Sequence, residues 1–336
     1  MKFKLTLAAL TVGFASTVGA QTVLTASSWV PPGHILSVTQ KEWCELLEKN
    51  TTGKIKCNIL PRAVAAPPGT FDAVKNGLAD VSFTVHGYTP GRFVLPQIAE
   101  FPLLGNYAEP VSIAFNRIAS KYPEFGAEHK DVHVLGYFTH GPGVVYNTKK
   151  AIAKIDDFQG MKFRIGGGLL NDISKAVGIN GTLKPAPEAY ELISSGVMDG
   201  TLFPAEALVS FRIDKIIKHT TSFDGGLYNI SFVMMMNKAK YDKLSAEEKK
   251  AVDAISGENV ARMFGRGWDK VDRLAYATMQ ANGITVTKAD AKFIADVKAR
   301  TAPLEQKWAK DAEAKGLKNA AKVLAEFRAE IAKASK

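Results

Sequence analysis

Residues 80–93, DVSFTVHGYTPGRF, contain a short apolar strand pattern followed directly by a loop of turn-forming residues. On the N-terminal side, the segments 22–28 (TVLTASS) and 54–60 (KIKCNIL) also favour strands. Helical patterns separate these strands at residues 37–50 and 70–77. Strands that alternate with helices are typical of a parallel α/β sheet with right-handed crossovers. In such sheets ligands bind beside the carboxyl ends of the strands, so the loop over 86–93 is predicted to lie at a ligand-binding edge.

A second α/β unit is predicted after His133. Its predicted strands lie at 132–138, 143–147, 161–165 and 197–203, and its predicted helices at 169–177 and 187–195. The pair Gly225-Gly226, followed by the apolar run Ile230–Met236, indicates a strand that returns to the first unit. Repeated crossing between two α/β lobes is the layout of a hinged clamshell.

The segment from Ser245 to about Gln280 is predicted to form one long helix. Ser245 and Glu248 have the spacing of a capping box, and apolar residues recur behind them at helical period. Such a helix would be roughly 50 Å long, enough to span both lobes. We expect lobe 1 to hold residues 21–145 with about 229–265, and lobe 2 to hold 146–228 with about 266–336.

The N-terminus has the pattern of a secretory signal peptide. Lys2 and Lys4 precede an uncharged apolar run, and Val18-Gly19-Ala20 provides small residues for cleavage before Gln21. The run is shorter than a membrane-spanning helix requires. We therefore expect residues 1–20 to be removed and the mature chain to reside in the periplasm.

The chain has two cysteines, Cys44 in a predicted helix and Cys57 in the strand that follows. An oxidising compartment permits a disulfide between them, and two small buried apolar side chains are the alternative. Their spacing fits neither a zinc site nor a CxxC redox motif.

Enzyme and nucleic-acid signatures are missing from the sequence. The six histidines show no metal-ligand spacing, and there is no GxSxG nucleophile motif or phosphate loop. The net charge is +10, but the basic residues are scattered rather than clustered. We expect no catalytic residues, no metal, no cofactor and no nucleic-acid partner.

Six features occur in one order along the chain: the export signal, GKIKCNILP, VKNGLADVSFTVHGYTPGRF, IDDFQGMKFRI, ISSGVMDG and FVMMMNKAKYDKLSAEEKKAV. In these features the chain resembles the dicarboxylate-binding (DctP-type) solute-binding proteins of tripartite ATP-independent periplasmic (TRAP) transporters, from residue 22 to about 300. The resemblance implies a type II periplasmic-binding-protein fold that closes on a small carboxylate and docks to TRAP membrane permease subunits. We expect a monomer. A periplasmic component that senses a ligand for a receptor kinase is the alternative.

The resemblance also implies that Arg164 pairs with the ligand carboxylate. The residues themselves agree, because a guanidinium in an apolar strand offers a planar fork for a carboxylate. Gly166, Gly167 and Gly168 follow, which would let a ligand approach the backbone, and the next helix would direct free N–H groups toward it.

The chain departs from the commonest family pattern at two places. Phe203 precedes Pro204 where many members have asparagine, and the segment around Gly143 and Val144 lacks a frequent second arginine. Both departures favour a monocarboxylate with an apolar or aromatic body, such as a 2-hydroxy or 2-oxo acid.

Other candidate ligand contacts lie in predicted loops. Trp29 and His34 follow the first strand, and His86 and Tyr88 follow the third, with core packing or loop hydrogen bonding as the alternatives. By family position, Phe203 is expected to form a wall of the cleft. Glu206 is either a partner for a ligand hydroxyl or an ion-pair partner of Arg212.

Overall fold

The computed structural model describes residues 21–336, and the expected signal peptide, residues 1–20, lies outside the described residues. The strands of the described part are β1 (Thr22–Ala26), β2 (Ile55–Ile59), β3 (Val81–Val85), β4 (Val132–Thr139), β5 (Gly143–Asn147), β6 (Lys162–Ile165), β7 (Asn180–Leu183), β8 (Gly200–Pro204), β9 (His219–Ser222), β10 (Ser231–Asn237) and β11 (Thr285–Lys288). Its helices are α1 (Ile35–Asn50), α2 (Thr70–Lys75), α3 (Ala108–Lys121), α4 (Pro123–Glu128), α5 (Leu170–Ala176), α6 (Ala189–Ser194), α7 (Ala207–Ser210), α8 (Lys238–Asp242), α9 (Ala246–Ala254), α10 (Glu258–Ala281), α11 (Ala291–Ala314) and α12 (Ala320–Ala334).

The strands form two sheets, one in each lobe. The first sheet has the order β2-β1-β3-β10-β4 and the second the order β11-β9-β5-β8-β6-β7. β1 runs parallel to β2 and β3, and β6 runs parallel to β7 and β8, as the alternating pattern predicts. The two-lobe α/β fold expected from the sequence is therefore confirmed.

Both sheets are mixed rather than purely parallel. β10 is antiparallel to β3 and β4, and β5 is antiparallel to β8 and β9. Each of these strands enters its sheet directly from the other lobe. β5 and β10 therefore begin at the edge of their sheet that faces the other lobe. Their neighbours in the sheet end at this edge, so β5 and β10 run antiparallel to them.

From residue 21 to the end of α10, the polypeptide passes between the lobes through residues 140–142, through residues 223–230 and along α10. The first two passages are named crossover 1 and crossover 2. The 24 residues of α10 extend about 36 Å. This helix packs on α3 and β4 in lobe 1 and on α7 and β11 in lobe 2, so it spans both lobes.

The long helix starts later than the sequence predicts. Ser245 and Glu248 form the expected capping box at the start of α9, but α9 ends at Ala254. Gly257 then adopts φ 62° and ψ −125°, and its N–H donates to the Leu135 carbonyl over 2.6 Å. This contact with β4 turns the chain, and α10 begins at Glu258.

The C-terminal segment is divided between the lobes, whereas the sequence analysis assigned all of it to lobe 2. α11 packs on α5 of lobe 2, and α12 packs on α3 of lobe 1. The buried stripe of α12 is Val323, Leu324, Phe327 and Ile331. The Tyr122 hydroxyl at the end of α3 donates to Glu326 of α12 over 2.7 Å. An apolar stripe shows that a helix is covered but does not identify the covering element.

In lobe 1 a disulfide joins α1 to β2. Cys44 and Cys57 are bonded to each other, with their Cα atoms 5.7 Å apart. Trp43 and Leu47 lie beside Cys44 on the buried side of α1 and pack in the core. None of the helices in residues 21–336 combines the length and apolarity needed to cross a membrane.

Candidate ligand-binding cavity

A cavity with about 430 Å³ of empty space lies between the lobes. Residues from both lobes line it, together with His140 of crossover 1, Tyr228 and Ile230 of crossover 2, and Trp268 of α10. The cavity therefore borders both crossovers and α10.

Arg164 of β6 lines this cavity with its side chain only 2% exposed. Its Nε donates to the Lys184 carbonyl over 2.7 Å, and its Nη1 donates more weakly to the Leu202 carbonyl over 3.4 Å. These two backbone oxygens are the hydrogen-bond partners of the Arg164 side chain within residues 21–336. Burial lowers the pKa of Arg164, but arginine remains charged at neutral pH. The cavity wall thus carries a buried cation that has no anionic partner among residues 21–336.

Two tyrosines stand near this cation. The Tyr88 hydroxyl accepts a hydrogen bond from the Ala186 N–H over 3.0 Å, which leaves its own proton free to be donated. Burial raises the pKa of Tyr88 and of Tyr228, and the positive charge of Arg164 opposes both shifts. Both hydroxyls therefore stay protonated and can donate to an anion beside Arg164.

Aromatic rings form a large part of the remaining wall. The guanidinium carbon of Arg164 lies 4.3 Å from the centre of the Phe203 ring. Phe203 stacks on Phe211 with a centroid distance of 5.2 Å and an interplanar angle of 11°. Trp29 packs against Tyr88 at 5.7 Å and donates from Nε1 to the Phe83 carbonyl. These contacts give the cavity apolar faces that suit a hydrocarbon body.

Glu206 and His34 meet across the two lobes. His34 caps α1 by accepting the Leu36 N–H at Nδ1, so its Nε2 carries the proton and faces Glu206 Oε1 at 3.3 Å. Ser210 also donates to Oε1. Glu206 thus pairs with His34 and Ser210 rather than with Arg212, the ion pair that the sequence left open.

The contact between Glu206 and His34 is neutral at pH 7. Burial raises the pKa of Glu206 to about 8, with the Asp272 charge adding to the rise. Burial also lowers the pKa of His34 to about 3. The carboxyl is mostly protonated and the imidazole uncharged, so the pair is a hydrogen bond and not a salt bridge.

The structure brings Trp29, His34, Tyr88, Arg164, Phe203 and Glu206 together around this cavity. His86 lies elsewhere, because its Nδ1 contacts Ser231 Oγ at 2.9 Å and its Nε2 contacts His129 at 2.9 Å inside lobe 1. Gly167 is also not in the lining, where Gly166 takes its place. Because Gly167 has no Cβ, the lobes can touch here: an added Cβ would lie 2.4 Å from the Gly87 carbonyl oxygen.

The helix after the glycines was expected to direct free N–H groups toward the ligand, but at its start the structure shows a different partner. The Leu169 N–H at the start of α5 donates over 2.7 Å to Oε2 of Glu100, a buried acid of lobe 1. The acceptor at this helix end is therefore a protein carboxyl group and not a ligand.

The cavity residues that the sequence did not indicate include His140, Tyr228 and Trp268. His140 and Tyr228 lie in the crossovers, where their rings meet edge to face at 5.4 Å. The available signal was their position, because polar aromatic residues at a lobe crossing border the cleft. Within residues 21–336 there is no cluster of three or more His, Cys, Asp or Glu side chains arranged to hold a metal ion.

Residues 26–311 match the family described as bacterial extracellular solute-binding protein, family 7. The chain belongs to this family. It is 43% identical to a TRAP periplasmic solute-binding protein of Bordetella bronchiseptica solved with bound (R)- and (S)-mandelate. The match covers 93% of this chain and 99% of that one, with a TM-score of 0.90.

Two further relatives extend this comparison. A marine metagenome TRAP solute-binding protein specific for aromatic acid ligands, solved with metahydroxyphenylacetate, is 31% identical with a TM-score of 0.88. That match covers 94% of this chain and 100% of that one. The outer membrane transporter protein TsaT of Comamonas testosteroni is 27% identical over 95% of this chain and 94% of its own length.

Family membership confirms the resemblance seen in the sequence. This chain is an extracytoplasmic solute-binding protein of the TRAP type. The comparisons give no support to the alternative of a receptor-kinase component.

Proposed function

We propose that this TRAP solute-binding protein captures one aromatic or branched monocarboxylate in the periplasm, of the 2-hydroxy or 2-oxo class. It delivers the acid unchanged to the permease subunits of its transporter and has no catalytic activity. The observation that carries this proposal is Arg164, a buried guanidinium without an anionic partner in the described part of the chain, in a cavity partly walled by aromatic rings.

The charges in the cavity favour a single carboxylate. Among the lining residues of the described chain, Arg164 is the one permanent cation and Glu206 the one acid. A first carboxylate neutralises Arg164 and can accept from the Tyr88 hydroxyl. A second carboxylate would be desolvated without a cation, which is strongly unfavourable.

The relatives support an aromatic body. The Bordetella protein binds mandelate and the marine protein binds metahydroxyphenylacetate, which are both aromatic monocarboxylates. The wall formed by Phe203 and Phe211 offers stacking surface for such a ring.

A calorimetric ligand series tests the proposal. The mature protein, residues 21–336, is titrated at pH 7 with benzoate, phenylacetate, mandelate, phenylglyoxylate and 2-hydroxyisovalerate, and with succinate and malate. We expect at least one of the monocarboxylates to bind ten-fold or more tightly than either dicarboxylate. Mandelamide, which keeps the ring and hydroxyl but lacks the charge, should not bind.

Two results would contradict the proposal. Succinate or malate binding ten-fold more tightly than every monocarboxylate would show that the cavity accommodates two charges. Chemical change of a bound acid during prolonged incubation, measured by chromatography, would show that the protein is an enzyme.

A further inference from the structure

Three buried polar atoms of the cavity residues have no hydrogen-bond partner in the described part of the chain. They are His140 Nε2, Glu206 Oε2 and Trp268 Nε1. Each side chain is 3% exposed. A buried polar atom without a partner is costly, so three in one cavity indicate that something else satisfies them.

The three residues surround one corner of the cavity. The Trp268 ring lies 5.7 Å from the His34 ring, which contacts Glu206, and 6.0 Å from the His140 ring. Asp272 packs behind this corner. Its Oδ1 accepts the Glu206 N–H over 2.7 Å, and its Oδ2 occupies the space beside Gly141, the neighbour of His140.

The hydrogen-bonding role of each atom follows from its surroundings. His140 Nδ1 donates to the Gly141 carbonyl, so Nε2 of the neutral ring is an acceptor. Burial lowers the pKa of His140 to about 4, which keeps the ring neutral at pH 7. Trp268 Nε1 can only donate.

Glu206 supplies a second donor. Its Oε1 already accepts from His34 and Ser210, and its carboxyl is mostly protonated at pH 7 because burial raises its pKa to about 8. The proton is then carried by Oε2. The corner therefore presents two donors and one acceptor.

We propose that His140, Glu206 and Trp268 form a subsite for an uncharged hydroxyl group of the bound acid. A hydroxyl group has two lone pairs and one proton, which complement two donors and one acceptor. An oxo oxygen would leave His140 Nε2 without a proton to accept. The inference rests on the proposed function, a monocarboxylate paired with Arg164, and it assigns the bound acid a hydroxyl group, on C2 or on an aromatic ring, in preference to an oxo group.

The ligand arm of the test compares acids that differ in one group. Phenylacetate is the reference, against mandelate, 3-hydroxyphenylacetate, 4-hydroxyphenylacetate and phenylglyoxylate, by calorimetry at pH 7. We expect at least one hydroxylated acid to bind ten-fold or more tightly than phenylacetate. Phenylglyoxylate should bind less than three-fold more tightly than phenylacetate. The best hydroxylated acid also shows whether the subsite takes a 2-hydroxyl or a ring hydroxyl.

The protein arm removes one unpaired atom at a time. His140→Asn places an amide where Nδ1 bonds to Gly141 and deletes the Nε2 acceptor, and Trp268→Phe deletes the Nε1 donor. We expect the ratio of the phenylacetate Kd to the hydroxy-acid Kd to fall below three in each variant. Trp43→Phe is the matched control, because Trp43 Nε1 is also buried and unpaired but Trp43 is outside the cavity lining. This control should keep the wild-type ratio.

The inference is overturned if no hydroxylated acid exceeds phenylacetate by three-fold, or if the ratio persists in both variants. If phenylacetate then still binds and Arg164→Ala abolishes its binding, the proposed function stands and only the subsite is wrong. If none of the monocarboxylates of the two series binds, both proposals are wrong. Circular dichroism establishes that each variant is folded.

Discussion

At the scale of single residues, Arg164 shows how a strand can hold a charge in an apolar wall. Two backbone carbonyls orient the guanidinium, and the Phe203 ring covers one of its faces. The N–H groups that remain can bind a carboxylate without reorganising, which keeps the entropic cost of binding low.

We predict that Arg164→Ala lowers affinity for the preferred acid by thirty-fold to several-thousand-fold. The variant leaves the ligand charge buried without a partner, a loss of about 2 to 5 kcal/mol. Arg164→Lys should restore only part of this loss, because an ammonium lacks the two-pronged geometry. Calorimetry measures the effect. Affinity of Arg164→Ala within three-fold of wild type, with an intact circular dichroism spectrum, would place the carboxylate elsewhere.

At the scale of elements, the lobes touch where the loops after β3 and β6 meet. A Cβ added to Gly87 would lie 2.5 Å from the Gly168 nitrogen and 2.7 Å from the Gly167 carbonyl carbon. These neighbours are backbone atoms, which cannot move aside as a flexible side chain can. The approach of the lobes over the cavity therefore depends on glycine at this contact.

We predict that Gly87→Ala prevents full closure and weakens ligand binding at least ten-fold. The free energy of unfolding without ligand should change by less than about 1 kcal/mol, since the effect is on the contact between lobes and not on either core. Small-angle scattering should show that ligand contracts the wild type but not the variant. Gly126→Ala in α4 is the control, because its Cβ meets nothing within 4 Å. Wild-type affinity in Gly87→Ala would mean that the lobes bind ligand without this contact.

At the scale of the whole molecule, folding buries an acid between the lobes. Glu100 Oε1 bonds to the Ser231 N–H and hydroxyl, and Oε2 accepts the Leu169 N–H. Ser231 in turn contacts His86, and His86 contacts His129. Burial raises the pKa of Glu100 from 4.5 to about 7, against the opposing effect of these hydrogen bonds.

We predict that Glu100 makes the protein less stable as pH rises from about 4.5 to about 7. In this window the carboxyl of the unfolded chain has lost its proton and that of the folded chain retains it. The free energy of unfolding therefore falls by roughly 3 kcal/mol at most. Below 4.5 and above 7 its contribution is constant. Glu100→Gln mimics the protonated form, so wild-type stability should fall relative to this variant between pH 5 and pH 8 in urea unfolding. The exposed substitution Glu191→Gln should show no such trend, and a rise of wild type relative to Glu100→Gln would contradict the sign.

The sequence predicted those parts of the molecule that local chemistry determines. The strands β1 to β3 follow from apolar, β-branched runs between turn signals, and Arg164 stood out as a charge in an apolar strand before three glycines. The break before α10 was missed, because the hydrogen bond from Gly257 to Leu135 joins segments far apart in sequence. The position of α12 on α3 was missed for the same reason.

The cavity could be predicted only in part. Residues in loops that follow strands, such as Tyr88, could be predicted, because ligands bind beside the carboxyl ends of the strands in open α/β sheets. His140 and Trp268 were not, because one lies in a crossover and the other on a helix more than 120 positions later, and only the fold brings their rings within 6.0 Å. The partners of His86, which direct it into the core, also come from distant segments.

The bridge between α1 and β2 leaves the protein without a reactive thiol, since Cys44 and Cys57 are the only two cysteines of the chain. A cysteine introduced on the surface can therefore be labelled alone, under conditions that leave the bridge intact. Lys175 is exposed on the lobe 2 side of a groove that Gly87 and Thr89 of lobe 1 complete. A fluorophore at that position would report the approach of the lobes as a change in emission. Because both native cysteines are held in the disulfide, the labelled protein could serve as an optical sensor for its own ligand.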